Sequence, residues 1–78
     1  MDDKYYMDMI VNYLKQWKKG QKKDFIELLR NKLPEILSST QKENKVKYYL
    51  KVLSQDNIIE FVSGTSRTGV WVLGKTNN

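Results

Sequence analysis

Cysteine and histidine are absent from this sequence, and proline occurs once. Without cysteine there is no disulfide, which fits a reducing compartment, so we expect a cytoplasmic protein. The usual zinc ligands and the usual bases that activate a serine nucleophile are missing as well. We therefore expect neither an enzyme nor a bound metal or cofactor. The sequence also has no run approaching about 20 apolar residues, so a membrane is not an expected partner.

Acidic residues are the minority among the charged residues, with 9 Asp and Glu against 14 Lys and Arg and a net charge of +5. The imbalance is greatest between Lys15 and Lys51, where eleven basic residues face four acidic ones. A basic surface of this kind attracts polyanions such as nucleic acids. The alternative is a solvated surface without a ligand. The two interpretations differ in whether the charges converge in the folded chain.

The length of 78 residues predicts a single domain, residues 1–78, with a small core. Apolar periodicity and turn residues predict its elements. We expect helices at about residues 3–19, 22–33 and 41–55, followed by strands at about 58–62 and 70–74.

The expected core consists of the apolar stripes of these helices and one face of the last strand. The residues predicted to be buried are Tyr6, Ile10, Tyr13, Leu14, Trp17, Phe25, Leu28, Leu29, Leu33, Val46, Tyr49, Leu50, Leu53, Trp71 and Leu73. Pro34 is expected to end the second helix, because proline disfavours the helical conformation of the residue before it. Ile36 and Leu37 are predicted to cover the core. Thr40 and Glu43 have the spacing of a capping box for the third helix.

The stretch GVWVLGKT, from Gly69 to Thr76, matches the pattern of a phosphate-binding loop. Such a loop needs a flexible, glycine-rich turn whose backbone N–H groups surround the phosphates. Here the intervening residues, 70–73, are β-branched, aromatic or leucine, which is typical of a strand. We therefore predict a packed β-strand and not an ATP site.

Three helices followed by a hairpin predict an α+β fold of the winged helix-turn-helix type, with a two-stranded wing. In this architecture the third helix enters the major groove of DNA. The outer face of that helix carries lysines, amides and a tyrosine, and its own sequence places no acid there. The residues predicted to contact DNA are Gln41, Asn44, Lys45, Lys47, Tyr48, Lys51 and Arg67.

Each of these residue types suits a different part of DNA. Lysines would contact phosphates, whereas Gln41 and Asn44 would read base edges, because an amide both donates and accepts hydrogen bonds. Tyr48 would stack on a sugar or bond a phosphate. Arg67, in the hairpin loop, would reach the minor groove or the backbone.

A resemblance supports this prediction over about residues 20–74. The blocks LL..KLP and QKENKVKYYL, the paired isoleucines before the hairpin, and the W-x-L ending at Trp71 and Leu73 together resemble a particular winged-helix segment. It is found at the C-terminal end of bacterial ATP-dependent DNA helicase-related proteins, the RecG-like or divergent ATP-binding, Schlafen-like regulators. The resemblance implies a DNA-binding accessory module of a larger helicase-like protein or transcriptional regulator. Its partners would be double-stranded DNA and the rest of the ATP-binding protein.

A winged helix that binds protein, including a second copy of itself, is the alternative function. Fold alone does not separate the two, because many winged helices serve as interaction modules. Tyr48 fits both, since an exposed tyrosine is also a common anchor in protein interfaces. Strong salt dependence would indicate DNA, and concentration-dependent self-association would indicate a homodimer.

Overall fold

The computed structural model of the chain describes residues 3–64 and 69–74. Within these ranges it is an α+β fold of three helices and a small antiparallel sheet. The elements are α1 (Asp3–Trp17), β1 (Gly20–Gln21), α2 (Lys22–Arg30), α3 (Ser39–Gln55), β2 (Ile59–Ser63) and β3 (Val70–Leu73). No helix in the described ranges combines the length and the apolar character needed to cross a membrane.

The sheet has three strands in the order β1-β3-β2, so the returning strand of the hairpin is central. β2 and β3 pair antiparallel, as expected. The prediction of a two-stranded wing is wrong, because Gly20 lies opposite Trp71 and Gln21 opposite Val70. A strand of two residues is too short to show the alternation by which strands are recognised, and glycine disfavours strands.

The core lies between the three helices and one face of the sheet. Its buried residues are Tyr6, Ile10, Leu14, Phe25, Leu29, Leu33, Val46, Tyr49, Leu50, Leu53 and Ile59. The four residues predicted for the buried stripe of α3 are all among them. Tyr13, Leu28, Trp71 and Leu73 are partly buried and pack against this cluster.

Trp17, which was predicted to be buried, and Ile36, which was predicted to cover the core, are both exposed. Trp17 is 59% exposed and Ile36 is 91% exposed. Trp17 is the last residue of α1, since Lys18 adopts a positive φ of 74° and turns the chain away. Ile36 lies between α2 and α3, where no periodicity defines which side faces inward. Leu37, its neighbour, packs against the core as expected.

The ends of α2 and α3 differ from the predicted ones. The last residue of α2 is Arg30, three residues before the expected end at residue 33. α3 is capped by Ser38, whose Oγ accepts from the backbone N–H of Gln41 at 3.1 Å, while Gln41 Oε1 accepts from Ser38 N at 2.8 Å. The predicted capping box at Thr40 and Glu43 is therefore wrong, although the motif exists two residues earlier.

The four residues between the glycines of the stretch that matches a phosphate loop, 70–73, form β3, as predicted. The second of these glycines, Gly74, donates its N–H to the carbonyl oxygen of Ile58 at 2.8 Å. A Cβ at Gly74 would overlap the carbonyl oxygen of Asn57. The glycine thus allows two backbone segments to approach closely at the end of the hairpin.

Candidate nucleic-acid interface

The exposed face of α3 brings together four of the predicted DNA-contacting residues. Asn44, Tyr48 and Lys51 recur at a spacing of four and three residues, and Lys47 flanks them. All four are exposed, with Tyr48 at 50%. This arrangement follows from the buried stripe on the opposite side of the helix, which fixes the rotation of α3 about its axis.

Lys45 lies at the edge of this face and is partly covered. Its side chain is 34% exposed, and its Nζ is 4.0 Å from Oδ1 of Asp3. Asp3 belongs to the first turn of α1. α3 itself places no acid on this face, but α1 supplies a carboxylate beside Lys45 that the sequence of α3 did not reveal.

Asp3 is held in this place by a tyrosine of the core. The hydroxyl of Tyr49 donates to Oδ1 of Asp3 at 2.9 Å. Burial raises the pKa of Tyr49 above its ordinary value of 10.0, and the hydrogen bond to Asp3 raises that pKa further. The ring of Tyr49 stacks on that of Tyr6 with centroids 5.9 Å apart. Asp3 is thus both part of the α1–α3 contact and a neighbour of the surface cation.

Gln41 caps the start of α3, a role that the sequence did not predict. Its backbone N–H and its amide oxygen both take part in the capping box with Ser38. Reading adenine by two hydrogen bonds requires both the oxygen and the NH₂ group of an amide. Capping therefore competes with base recognition at Gln41, whereas no such bond restrains Asn44 among the described contacts.

An open hollow of about 540 Å³ lies beside the N-terminal half of α3. Its lining residues are Asp3, Leu37, Gln41, Asn44, Lys45 and Tyr48. Four of these six are predicted DNA-contacting residues, so the hollow belongs to the same surface. Asp3 and Leu37 were missed at this surface, because their contact with α3 depends on tertiary packing and leaves no local pattern in the sequence.

One predicted contact residue, Arg67, lies outside the described residues. Among the described residues, no group of three or more acidic side chains is arranged to hold a metal ion. No known family model matches the chain, and neither a curated protein nor a solved structure shows significant similarity to it.

Proposed function

We propose that the chain is a winged helix-turn-helix domain that binds duplex DNA through α3. The observation that carries this proposal is the joint exposure of Asn44, Lys47, Tyr48 and Lys51 on one helix face. α3 has 17 residues and is therefore about 25 Å long. An α-helix with its side chains is about 10–12 Å in diameter, which matches the major groove, about 12 Å wide. The short strand β1 completes a sheet that supports the hairpin beside the helices.

In this proposal the four residues contact different parts of the DNA. Lys47 and Lys51 neutralise phosphates on the groove edges and so position the helix. Asn44 lies in the N-terminal half of α3, the part of a recognition helix that contacts base edges, and its amide suits adenine. Tyr48, between them, contacts a sugar or a phosphate.

Lys45 contributes less than its two neighbours in this proposal. Its ammonium group already has the Asp3 carboxylate nearby, so a phosphate must compete with that charge. A DNA phosphate also approaches Asp3 itself when it approaches Lys45, and the two negative charges repel each other. The proposed order of importance is therefore Lys47 and Lys51 first, and Lys45 after them.

The place of this domain in a longer ATP-binding, helicase-like protein of a bacterium is also a proposal. Its support is the resemblance of residues 20–74 to the C-terminal winged helix of such proteins. The open reading frame upstream of Met1 tests it. An encoded ATP-binding domain in frame supports the proposal, and a stop codon immediately before Met1 contradicts it.

The DNA proposal is tested by titrating a labelled duplex with the chain at several salt concentrations. Each phosphate contact adds about −0.9 to the slope of log affinity against log salt. The double variant Lys47→Gln, Lys51→Gln should therefore reduce the slope by about 1.8. The matched control is Lys4→Gln, Lys32→Gln, which removes the same charge from exposed positions outside the α3 face. Equal slopes for the two double variants, or a native slope near zero, would overturn the proposal.

A protein-interaction module is the second candidate, and a different observation favours it. β2 lies at the edge of the sheet, with Phe61 40% exposed and Val62 55% exposed. Exposed apolar side chains on an edge strand favour pairing with another chain. Sedimentation over a range of concentrations tests for a homodimer, and Val62→Lys should abolish one formed through β2.

A further inference from the structure

A second group of basic residues flanks Trp17 in the sequence, at the end of α1 opposite to Asp3, and one of them, Lys19, lines a hollow beside the indole. The indole is 59% exposed. Five lysines lie within six residues of it in the sequence: Lys15, Lys18, Lys19, Lys22 and Lys23. Four of these are exposed and Lys22 is partly exposed. Lys15 lies two residues before Trp17 on α1 and so projects from a different side of the helix. We call Trp17 and the four lysines that follow it the Trp17 platform.

The indole is supported from the core by a row of aromatic rings. The ring centroid of Trp17 is 6.3 Å from that of Tyr13, which in turn lies 5.5 Å from the fully buried Phe25. The backbone of Gly20 packs closely against two of these rings, because a Cβ there would be 2.8 Å from Phe25 Cζ and 2.9 Å from Tyr13 Cε1. The exposed indole therefore lies next to Tyr13, whose ring in turn packs against the buried Phe25.

Open space borders the indole in two places. One hollow, of about 350 Å³, is lined by Trp17 together with Lys19, Gly20, Gln21, Asp24 and Val70. A second hollow, of about 270 Å³, is lined by Trp17 together with Met9, Asn12, Tyr13, Gln16 and Leu28. A planar ring has room to lie against the indole in either position.

An exposed aromatic ring among several ammonium groups is the chemistry that binds single-stranded nucleic acid. Bases stack on the ring irrespective of their sequence, and the cations follow the phosphates. We propose that the Trp17 platform binds an unpaired nucleobase of a single strand, with its lysines neutralising the adjacent phosphates. Asp24 is the acid in the larger hollow, where it accepts from Gln21 N at 2.8 Å.

The platform is separate from the α3 face. Asp3 contacts α3 at the start of α1, and Trp17 is at the end of this helix of 15 residues, about 21 Å further along. Binding of an unpaired base by Trp17 does not require that α3 binds a duplex. When both surfaces bind, they contact different parts of one nucleic acid, as at a junction between duplex and single strand.

The test uses a labelled oligothymidylate as the single strand and a blunt duplex in parallel. Stacking contributes about 1–3 kcal/mol per base, so Trp17→Ala should weaken oligothymidylate binding by roughly 5- to 150-fold. The same variant should leave blunt-duplex binding unchanged. The matched control is Tyr5→Ala, which removes an exposed aromatic ring, 51% exposed, from the other end of α1. Circular dichroism melting checks that both variants remain folded.

Two further measurements make the result specific to the platform. Lys18→Gln with Lys19→Gln should reduce the salt slope for oligothymidylate, whereas Lys47→Gln with Lys51→Gln should reduce it only for the duplex. Failure of duplex binding alone therefore leaves this proposal intact. Equal losses in Trp17→Ala and Tyr5→Ala would overturn it. So would Trp17-dependent binding to phosphatidylserine vesicles without binding to oligothymidylate, which would indicate a membrane surface as the ligand.

Discussion

The hydroxyl of Tyr49 donates a hydrogen bond of 2.9 Å to the same oxygen of Asp3 that lies 4.0 Å from Lys45 Nζ. One carboxylate oxygen thus links the packing of α1 on α3 to the charge of the candidate DNA face. A substitution at Asp3 should therefore change both the stability of the fold and the affinity for DNA, in opposite directions. Stability should fall, because the phenol loses its charged acceptor, and DNA affinity should rise, because Lys45 loses its acidic neighbour.

Asp3→Asn should increase duplex affinity and make the salt slope steeper by up to about 0.9, since Lys45 becomes available to a phosphate. Asp8→Asn is the matched control. Asp8 is an exposed aspartate of α1 whose partner is Lys4 of the same helix, so its loss changes the net charge equally. Equal effects of the two variants would mean that overall charge, and not the Asp3–Lys45 pair, determines affinity.

Tyr49→Phe should lower the free energy of unfolding by about 1 kcal/mol near neutral pH, the usual net value of one hydrogen bond. Phenylalanine preserves the stacking with Tyr6, so the loss reports mainly on the bond to Asp3. Urea denaturation of both proteins measures the difference. No difference would show that solvation of Asp3 replaces the bond at no cost.

The stability of the native protein relative to Tyr49→Phe should also depend on pH in the alkaline range. The pKa of Tyr49 is raised above 10.0 in the folded chain, so the folded state binds this proton more tightly than the unfolded state. The contribution of Tyr49 is therefore complete below about pH 10 and is lost as pH rises through the folded-state pKa. Denaturation at several pH values from neutral upwards measures the difference in free energy of unfolding between the native protein and Tyr49→Phe. Because both proteins contain the same lysines, the titration of the lysines cancels in this difference. A difference that grew with pH would contradict this assignment.

Ser38→Ala should destabilise the chain by about 1 kcal/mol, the typical cost of losing an N-cap side chain. Its hydroxyl accepts from Gln41 N, whereas Thr40 lies within the first turn of the helix, exposed to solvent. Thr40→Ala should accordingly change stability by less than about 0.5 kcal/mol. Thermal melting of both variants tells which residue caps the helix. If Thr40 were the cap, as the sequence suggested, Thr40→Ala would be the more destabilising of the two.

Gly74→Ala should destabilise the chain by about 1–3 kcal/mol, because the added methyl group meets the carbonyl of Asn57 and displaces the backbone. At an open position the same substitution would instead stabilise by about 0.4–1 kcal/mol, through a less flexible unfolded chain. The sign of the change in chemical denaturation is therefore decisive. A gain in stability would mean that the two segments do not approach closely.

The parts of the fold that the sequence predicts are those with a repeating local pattern. The stripe of Val46, Leu50 and Leu53 was identifiable because its spacing matches one helix turn after another. Trp17 satisfies the same spacing but lies in the last turn, where the helix ends, and the described residues leave it 59% exposed. Spacing alone gives the direction of a side chain and not what lies against it.

The candidate site was predictable only to the extent that it depends on α3. The rotation of that helix places Asn44, Lys47 and Lys51 outward, and this follows from its apolar stripe. The approach of Asp3 to Lys45 does not, because it depends on how α1 crosses α3. The capping role of Gln41 was missed because two pairs, Ser38 with Gln41 and Thr40 with Glu43, satisfy the same pattern.

The pairing of Gly20 with Trp71 has a consequence for the order of events in folding. These two residues are far apart in the sequence, and α2, α3 and β2 all lie between them. The helices form from neighbouring residues, but the central strand acquires its second partner only after this long intervening segment has collapsed. Closure of the sheet by β1 should therefore be a late step, completed when the helices are already in contact.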